Sequence, residues 1–212
     1  MSGPDMPLPP PAGGPVGVGG AGLVVEAPDA DTMREVGRRL AGVLRAGDLV
    51  VLAGPLGAGK TVLVQGIAAG LGVAGAVTSP TFVIARVHVD GRVPLVHVDA
   101  YRLGGFVEVE DIDLDADIEE SVTVVEWGSG LVEGLASTHL RVEIERPEDA
   151  MPLPLAGTTD AREVPDAGGR RVIRMVGSGG DWPQRMLSLL PSLPDAVTSP
   201  TSPRRWRDRA VP

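Results

Sequence analysis

Between residues 23 and 146 the apolar and polar positions follow two alternating periods, those of strands and of helices. Residues 23–26 form a short β-branched run that predicts a strand. Met33, Val36, Leu40, Val43 and Leu44 recur at helical spacing behind Asp29 and Asp31, either of which can cap a helix that ends near Gly47. Residues 49–53 are continuously apolar over a strand's length, as expected for a parallel strand covered on both faces. After a glycine-rich loop the pattern predicts a second helix over residues 60–71, closed by Gly70 or Gly72. Residues 82–89 and 93–98 are β-branched runs joined at Asp90-Gly91, a hairpin dipeptide, and should pair antiparallel. Residues 122–125 predict another buried strand, 129–136 a short helix, and 140–145 a strand with alternating faces. Beyond Pro147 the periodicity weakens, leaving one strand over 171–176 and a last helix over 182–190.

These periods divide the chain of 212 residues into four segments. Residues 1–22 are a Gly/Pro-rich tail, 23–146 a regular domain, 147–190 an extension with a strand and a helix to add to it, and 191–212 a basic tail. Both tails are expected to be disordered, because 29 Gly, 20 Pro and only 3% aromatic residues leave part of the chain unable to form a core. The absence of cysteine removes disulfides, thiol nucleophiles, cysteine-ligated zinc and iron–sulfur chemistry together. A net charge of −9 argues against coating nucleic acid or an anionic membrane by overall charge, so a link to RNA would be indirect.

Residues 1–22 carry one charge, Asp5, and no basic start, which is not a secretory signal pattern. Residues 61–85 are uncharged, but Gln65, Thr78, Ser79, Pro80, Thr81 and four glycines interrupt them, so they read as helix, loop and strand rather than a membrane span. The expectation is a cytoplasmic protein. Residues 108–120 hold eight acids and no base and read as a solvated acidic segment before a docking surface.

The chemistry concentrates in Gly54, Pro55, Leu56, Gly57, Ala58, Gly59, Lys60 and Thr61, a G-x-x-x-x-G-K-[ST] motif between a predicted strand and a predicted helix. Glycines let successive backbone N–H groups turn into one concavity, where the helix N-terminus adds its positive end to hold phosphate. Lys60 would reach the outer phosphates and Thr61 would offer its hydroxyl to a magnesium ion. Of 19 basic residues 18 are Arg, and the single Lys stands here, where a compact point charge suits the site. The chain has no Asn and no second Lys, which excludes guanine reading by an N-K-x-D motif. The motif and the succession of predicted strands and helices along the chain predict an α/β fold: a P-loop NTPase-like sheet with flanking helices and mixed parallel and antiparallel strands.

Phosphoryl transfer needs carboxylates that hold metal and orient water. Asp99 closes the run 93–98 and Glu126 closes 122–125, and acids at the carboxyl ends of buried strands face the ligand crevice of an α/β sheet. Asp99 would bind metal through water or activate the attacking water, and Glu126 would ligate magnesium directly. Thr81, in Thr78-Ser79-Pro80-Thr81-Phe82, sits where a loop can close on a γ-phosphate. His97 lies on a buried-strand pattern and reads first as a structural histidine; His88 and His139 carry no signal.

GPLGAGKT, then TSPTF, then HVDAYRL from His97, an acidic stretch, and VVEW ending at Trp127 together resemble the bacterial TsaE family, also called YjeE. The resemblance covers residues 29–145. It implies a small ATPase that uses ATP and magnesium and works with the TsaD and TsaB proteins to make threonylcarbamoyladenosine in tRNA, supporting repeated turnover of their complex without transferring the group itself. It places the phosphates on Leu56, Gly57, Ala58, Gly59, Lys60 and Thr61, and magnesium on Thr61 and Glu126. Asp99 becomes the Walker B-like acid, Thr32 a nucleotide contact and Trp127 a flank of the base. Val62 and Pro55 depart from common family residues without removing a phosphate ligand. The resemblance does not extend to the tails, where Arg204, Arg205, Trp206, Arg207 and Arg209 read as a floppy basic end.

Two rival classes share the loop. An ATP-dependent small-molecule kinase would also need an arginine-bearing lid, which the sequence does not display, and a nucleotide-gated binding module would not need hydrolysis.

Overall fold

The computed structural model describes residues 22–102, 118–146, 169–193 and 197–199. Residues 1–21, residues 108–117 of the acidic segment, residues 147–168 of the extension, and residues 194–196 and 200–212 with the arginines at 204–209 lie outside the described residues, whereas residues 197–199, in the tail expected to be disordered, form a strand of the sheet.

Among the described residues the strands are β1 (Gly22–Ala27), β2 (Asp48–Ala53), β3 (Ala85–His88), β4 (Leu95–Asp99), β5 (Val122–Glu126), β6 (His139–Glu145), β7 (Arg171–Ser178) and β8 (Val197–Ser199). They form one eight-stranded sheet in the order β3-β4-β5-β2-β6-β7-β1-β8. Its centre is parallel, β4 on β5, β5 on β2 and β2 on β6, while β3, β7, β1 and β8 join antiparallel. The mixed α/β architecture is the one the apolar runs predict. β2, β4 and β5 are buried at every position, and β6 alternates because only one of its faces is covered.

Helices α1 (Ala30–Ala41), α2 (Lys60–Leu71) and α3 (Trp182–Leu189) contribute to one core with Val50, Leu52, Val122, Val124, Leu140, Val142, Ile173 and Met175. Residues of opposite parity, Leu49, Val51, Val96, Val98 and Val125, meet Ile118 and Val132 on the other face. Asp29 caps α1, its carboxylate accepting the Thr32 N–H at 2.7 Å. Glycines set the spacing of α1 on α2: a Cβ at Gly66 would stand 2.1 Å from the Arg34 carbonyl oxygen, and one at Gly70 2.6 Å from the Ala41 Cβ.

The C-terminal elements are built into this sheet. β7 lies between β6 and β1, and Arg185 on α3 bonds the Asp48 carboxylate and the Val43 carbonyl while its guanidinium stacks 3.8 Å from the Trp182 ring.

Three local expectations are corrected. β3 and β4 pair antiparallel as expected and are joined through Asp90-Gly91, but both start later than the runs 82–89 and 93–98, which leaves the connection over residues 89–94. It is drawn onto the end of α2, where Asp90 accepts the Ala74 N–H at 2.9 Å and Arg92 N–H donates to Leu71 O at 2.8 Å. The predicted helix over 129–136 is a set of turns with one 3-10 turn at Glu133–Leu135, since Gly130 takes φ 80° and its N–H is held by the Glu133 carboxylate. Helix α1 stops at Ala41 rather than near Gly47, which instead takes φ 87° to enter β2.

Candidate nucleotide site

The site forms where β2 ends between β5 and β6. Gly54 leaves β2 with φ 145°, and a Cβ there would stand 2.5 Å from the Ile144 carbonyl oxygen of the neighbouring strand, so the loop needs glycine for both backbone angle and space. Gly59 takes φ 102° at the N-cap of α2, where the hydroxyl-capping residues usual at such positions are replaced by a bare backbone. Leu56 is exposed and Ala58 fully buried, so the loop between them is anchored from beneath and open above. Thr32 lies in the first turn of α1, and the next residue, Met33, reaches 3.4 Å from where a Cβ on Gly59 would be, which sets the start of α1 beside this loop.

Lys60 opens α2 and is 5% exposed. Its ammonium donates to the carbonyls of Gly54 at 2.8 Å and Pro55 at 3.1 Å and sits 3.7 Å from the Trp127 ring centroid. Burial lowers its pKa to about 8, against the pull of Glu126 and Asp99.

Thr61 follows, and its hydroxyl donates to Glu126 Oε1 at 2.9 Å. The parallel register of β4 and β5 sets Asp99 opposite Glu126. Asp99 is 5% exposed; its Oδ2 accepts from Thr81 at 2.5 Å and Ser79 at 3.3 Å, and its Oδ1 from the Tyr101 N–H at 3.0 Å. Trp127 takes φ 63°, a left-handed conformation uncommon for a bulky residue, and its ring lies 5.2 Å from that of Tyr101.

Lys60, Thr61, Thr81, Asp99, Glu126 and Trp127 are thus gathered at one end of the sheet, with Gly57 and Thr32 on the adjoining loop and helix. The model described as "Threonylcarbamoyl adenosine biosynthesis protein TsaE" matches residues 27–152, which span all of them. The chain belongs to the TsaE family.

A TsaE protein of Streptomyces coelicolor is 66% identical over 118 residues, 54% of this chain and 79% of the relative. That of Bacillus subtilis is 38% identical over 117 residues, 55% of this chain and 73% of the relative. Both are named tRNA threonylcarbamoyladenosine biosynthesis proteins. The crystal structure of Bacillus subtilis YdiB superposes with a TM-score of 0.57 at 27% identity, over 79% of this chain and 93% of that one.

The candidate site holds residues that sequence reasoning passed over. Ser79 and Tyr101 contact the Asp99 and Trp127 cluster, and Arg146, just past β6, brings Nη1 to 3.5 Å from where a Cβ on Gly57 would lie. Arg146 had no sequence signal because nothing local tells that β6 adjoins β2. His97 did have one: it shares strand parity with Asp99, and its Nε2 meets Glu126 Oε1 at 2.9 Å. Among the described residues no helix is long and apolar enough to cross a membrane.

Proposed function

We propose that this TsaE-family chain binds and hydrolyses ATP with magnesium, and that this activity supports turnover of the TsaD and TsaB complex that makes threonylcarbamoyladenosine in tRNA. The observation that carries the reading is the hydrogen bond from Thr61 to Glu126 beside Lys60. It joins the first turn of a phosphate-loop helix to a carboxylate at the end of a parallel strand, 65 residues away in sequence.

The donor set fits the ion. Thr61 Oγ1 and Glu126 Oε1 are 2.9 Å apart and both are oxygens, the ligand type a hard divalent cation takes, with the remaining positions left to phosphate and water. When bound, magnesium supplies charge stabilisation on the phosphate oxygens. The backbone N–H groups from Leu56 to Thr61 would cradle phosphate at the positive end of α2, with the Ala58 N–H released from the Pro55 carbonyl and Lys60 exchanging the Gly54 and Pro55 carbonyls for phosphate oxygens. Thr81, which now donates to Asp99, would couple the 78–82 loop to the γ-phosphate by changing partner. Asp99 takes either the water-activating role or a water-mediated hold on the metal. Trp127 beside Lys60, and Thr32 on α1, flank the nucleotide.

Reconstituted threonylcarbamoylation of tRNA with TsaD and TsaB, with and without this protein, tests the whole reading. Multiple turnover that depends on the protein, with phosphate release stimulated by the partners, is expected. Phosphate transferred to a metabolite instead would establish the kinase alternative. Lys60→Ala should abolish measurable ATP binding, and Asp99→Asn should keep binding but lose tRNA modification; intact modification by Asp99→Asn would favour a nucleotide-gated binding module.

A further inference from the structure

We propose that His97 is a positioning residue that orients Glu126 toward the magnesium ion, an inference that rests on the assignment of Thr61 and Glu126 as its ligands. His97 is fully buried on β4, one strand away from Glu126 on β5. In the parallel register Asp99 stands opposite Glu126 and His97 opposite Val124, so strand alternation turns all four residues toward the α2 face of the sheet.

The imidazole Nε2 lies 2.9 Å from Glu126 Oε1. An ionised carboxylate only accepts, so Nε2 carries the hydrogen. Among the described residues, Nδ1 is buried with no hydrogen-bond partner. Among the described residues, the one hydrogen bond of this buried ring goes to Glu126, at the same oxygen that accepts from Thr61 at 2.9 Å.

A histidine kept only to fill the core would be replaced at lower desolvation cost by an apolar residue of similar size. Here its N–H holds a carboxylate that is 3% exposed and must keep one rotamer to face a cation. Hydrogen bonds from behind a metal-binding carboxylate commonly set its orientation, and their loss weakens metal binding by roughly 10- to 100-fold.

Calorimetric titration of the full chain with ADP, in the presence and absence of magnesium chloride, tests this. Wild type should bind ADP more tightly with magnesium. His97→Leu should reduce that magnesium-dependent gain by roughly tenfold or more while leaving magnesium-free ADP affinity unchanged. His97→Gln, whose amide N–H reaches the Nε2 position, should restore most of the gain, and His97→Asn, whose amide ends at the Nδ1 position, should not. If His97→Leu fails to fold, the Gln and Asn pair carries the test. Equal, wild-type magnesium gains in Gln and Asn variants would overturn the positioning role. A wild type with ADP binding that ignores magnesium would overturn the ligand assignment itself, and this inference with it.

Discussion

The Lys60 ammonium rests 3.7 Å from the centroid of the Trp127 ring, so the chain's single lysine is held by an aromatic face as well as by two loop carbonyls. A cation on an indole face is worth about 0.5 to 2 kcal/mol, enough to bias where the ammonium sits but not enough to compete with a polyphosphate.

Nucleotide binding should therefore move Lys60 off the ring and change indole emission. The expected result is a fluorescence change on adding ATP and magnesium to the wild type, absent in Trp127→Phe even though calorimetry still detects binding. A change that persists in Trp127→Phe would put its source at Trp182 or Trp206.

Gly66→Ala should weaken the fold. Its Cβ would meet the Arg34 carbonyl at 2.1 Å, and this neighbour is backbone on a packed helix, which cannot swing aside. Separating α1 from α2 should cost about 3 kcal/mol or more, a fall of roughly 6 to 12 °C in Tm. A melting temperature equal to wild type would show that α1 and α2 are not in such close contact.

Arg185→Ala should be as damaging from the other end of the chain. The Arg185 and Asp48 side chains are only 11% and 5% exposed, and removing one partner leaves a buried charge uncompensated, at about 3 to 5 kcal/mol. Urea unfolding measures this directly. A loss below about 1 kcal/mol, the value of a surface ion pair, would mean that α3 is not docked on the start of β2.

Burial holds the pKa of His139 below its ordinary 6.5, with Glu133 opposing and Arg141 adding to the shift. His88 is lowered in the same direction, again chiefly by burial. The unfolded chain then binds more protons between the folded pKa and about 6.5, so this contribution to stability is present above about pH 6.5 and lost as the pH falls through that window. His139→Gln should flatten the decline in unfolding free energy between about pH 7 and about pH 5.5. Parallel curves for variant and wild type would exclude His139 as a source.

Local patterns were legible wherever one element settles its own form. The start of α2 at Lys60, the burial of β2, and the alternation of β6 all follow from residues within a few positions of each other. The Asp90-Gly91 dipeptide did mark the join of an antiparallel pair, but the connection is longer than the two apolar runs leave, and Leu71 and Ala74, distant in sequence, capture it with their backbone groups. The run 129–136 misled because Gly130 in a left-handed conformation outweighs the apolar spacing around it.

By itself the sequence determined that a phosphate-type loop joins a buried strand to a helix, and that Asp99 and Glu126 close two further strands; these are statements of order along the chain, and short-range sterics and burial are sufficient to make them. Only the tertiary structure decided that Glu126 meets both Thr61 and His97, that Trp127 covers Lys60, and that Arg185 ties the C-terminal helix to Asp48. The reason is that strand order in a sheet is chosen by which faces bury together across the whole chain, and no spacing within a single element records its neighbour.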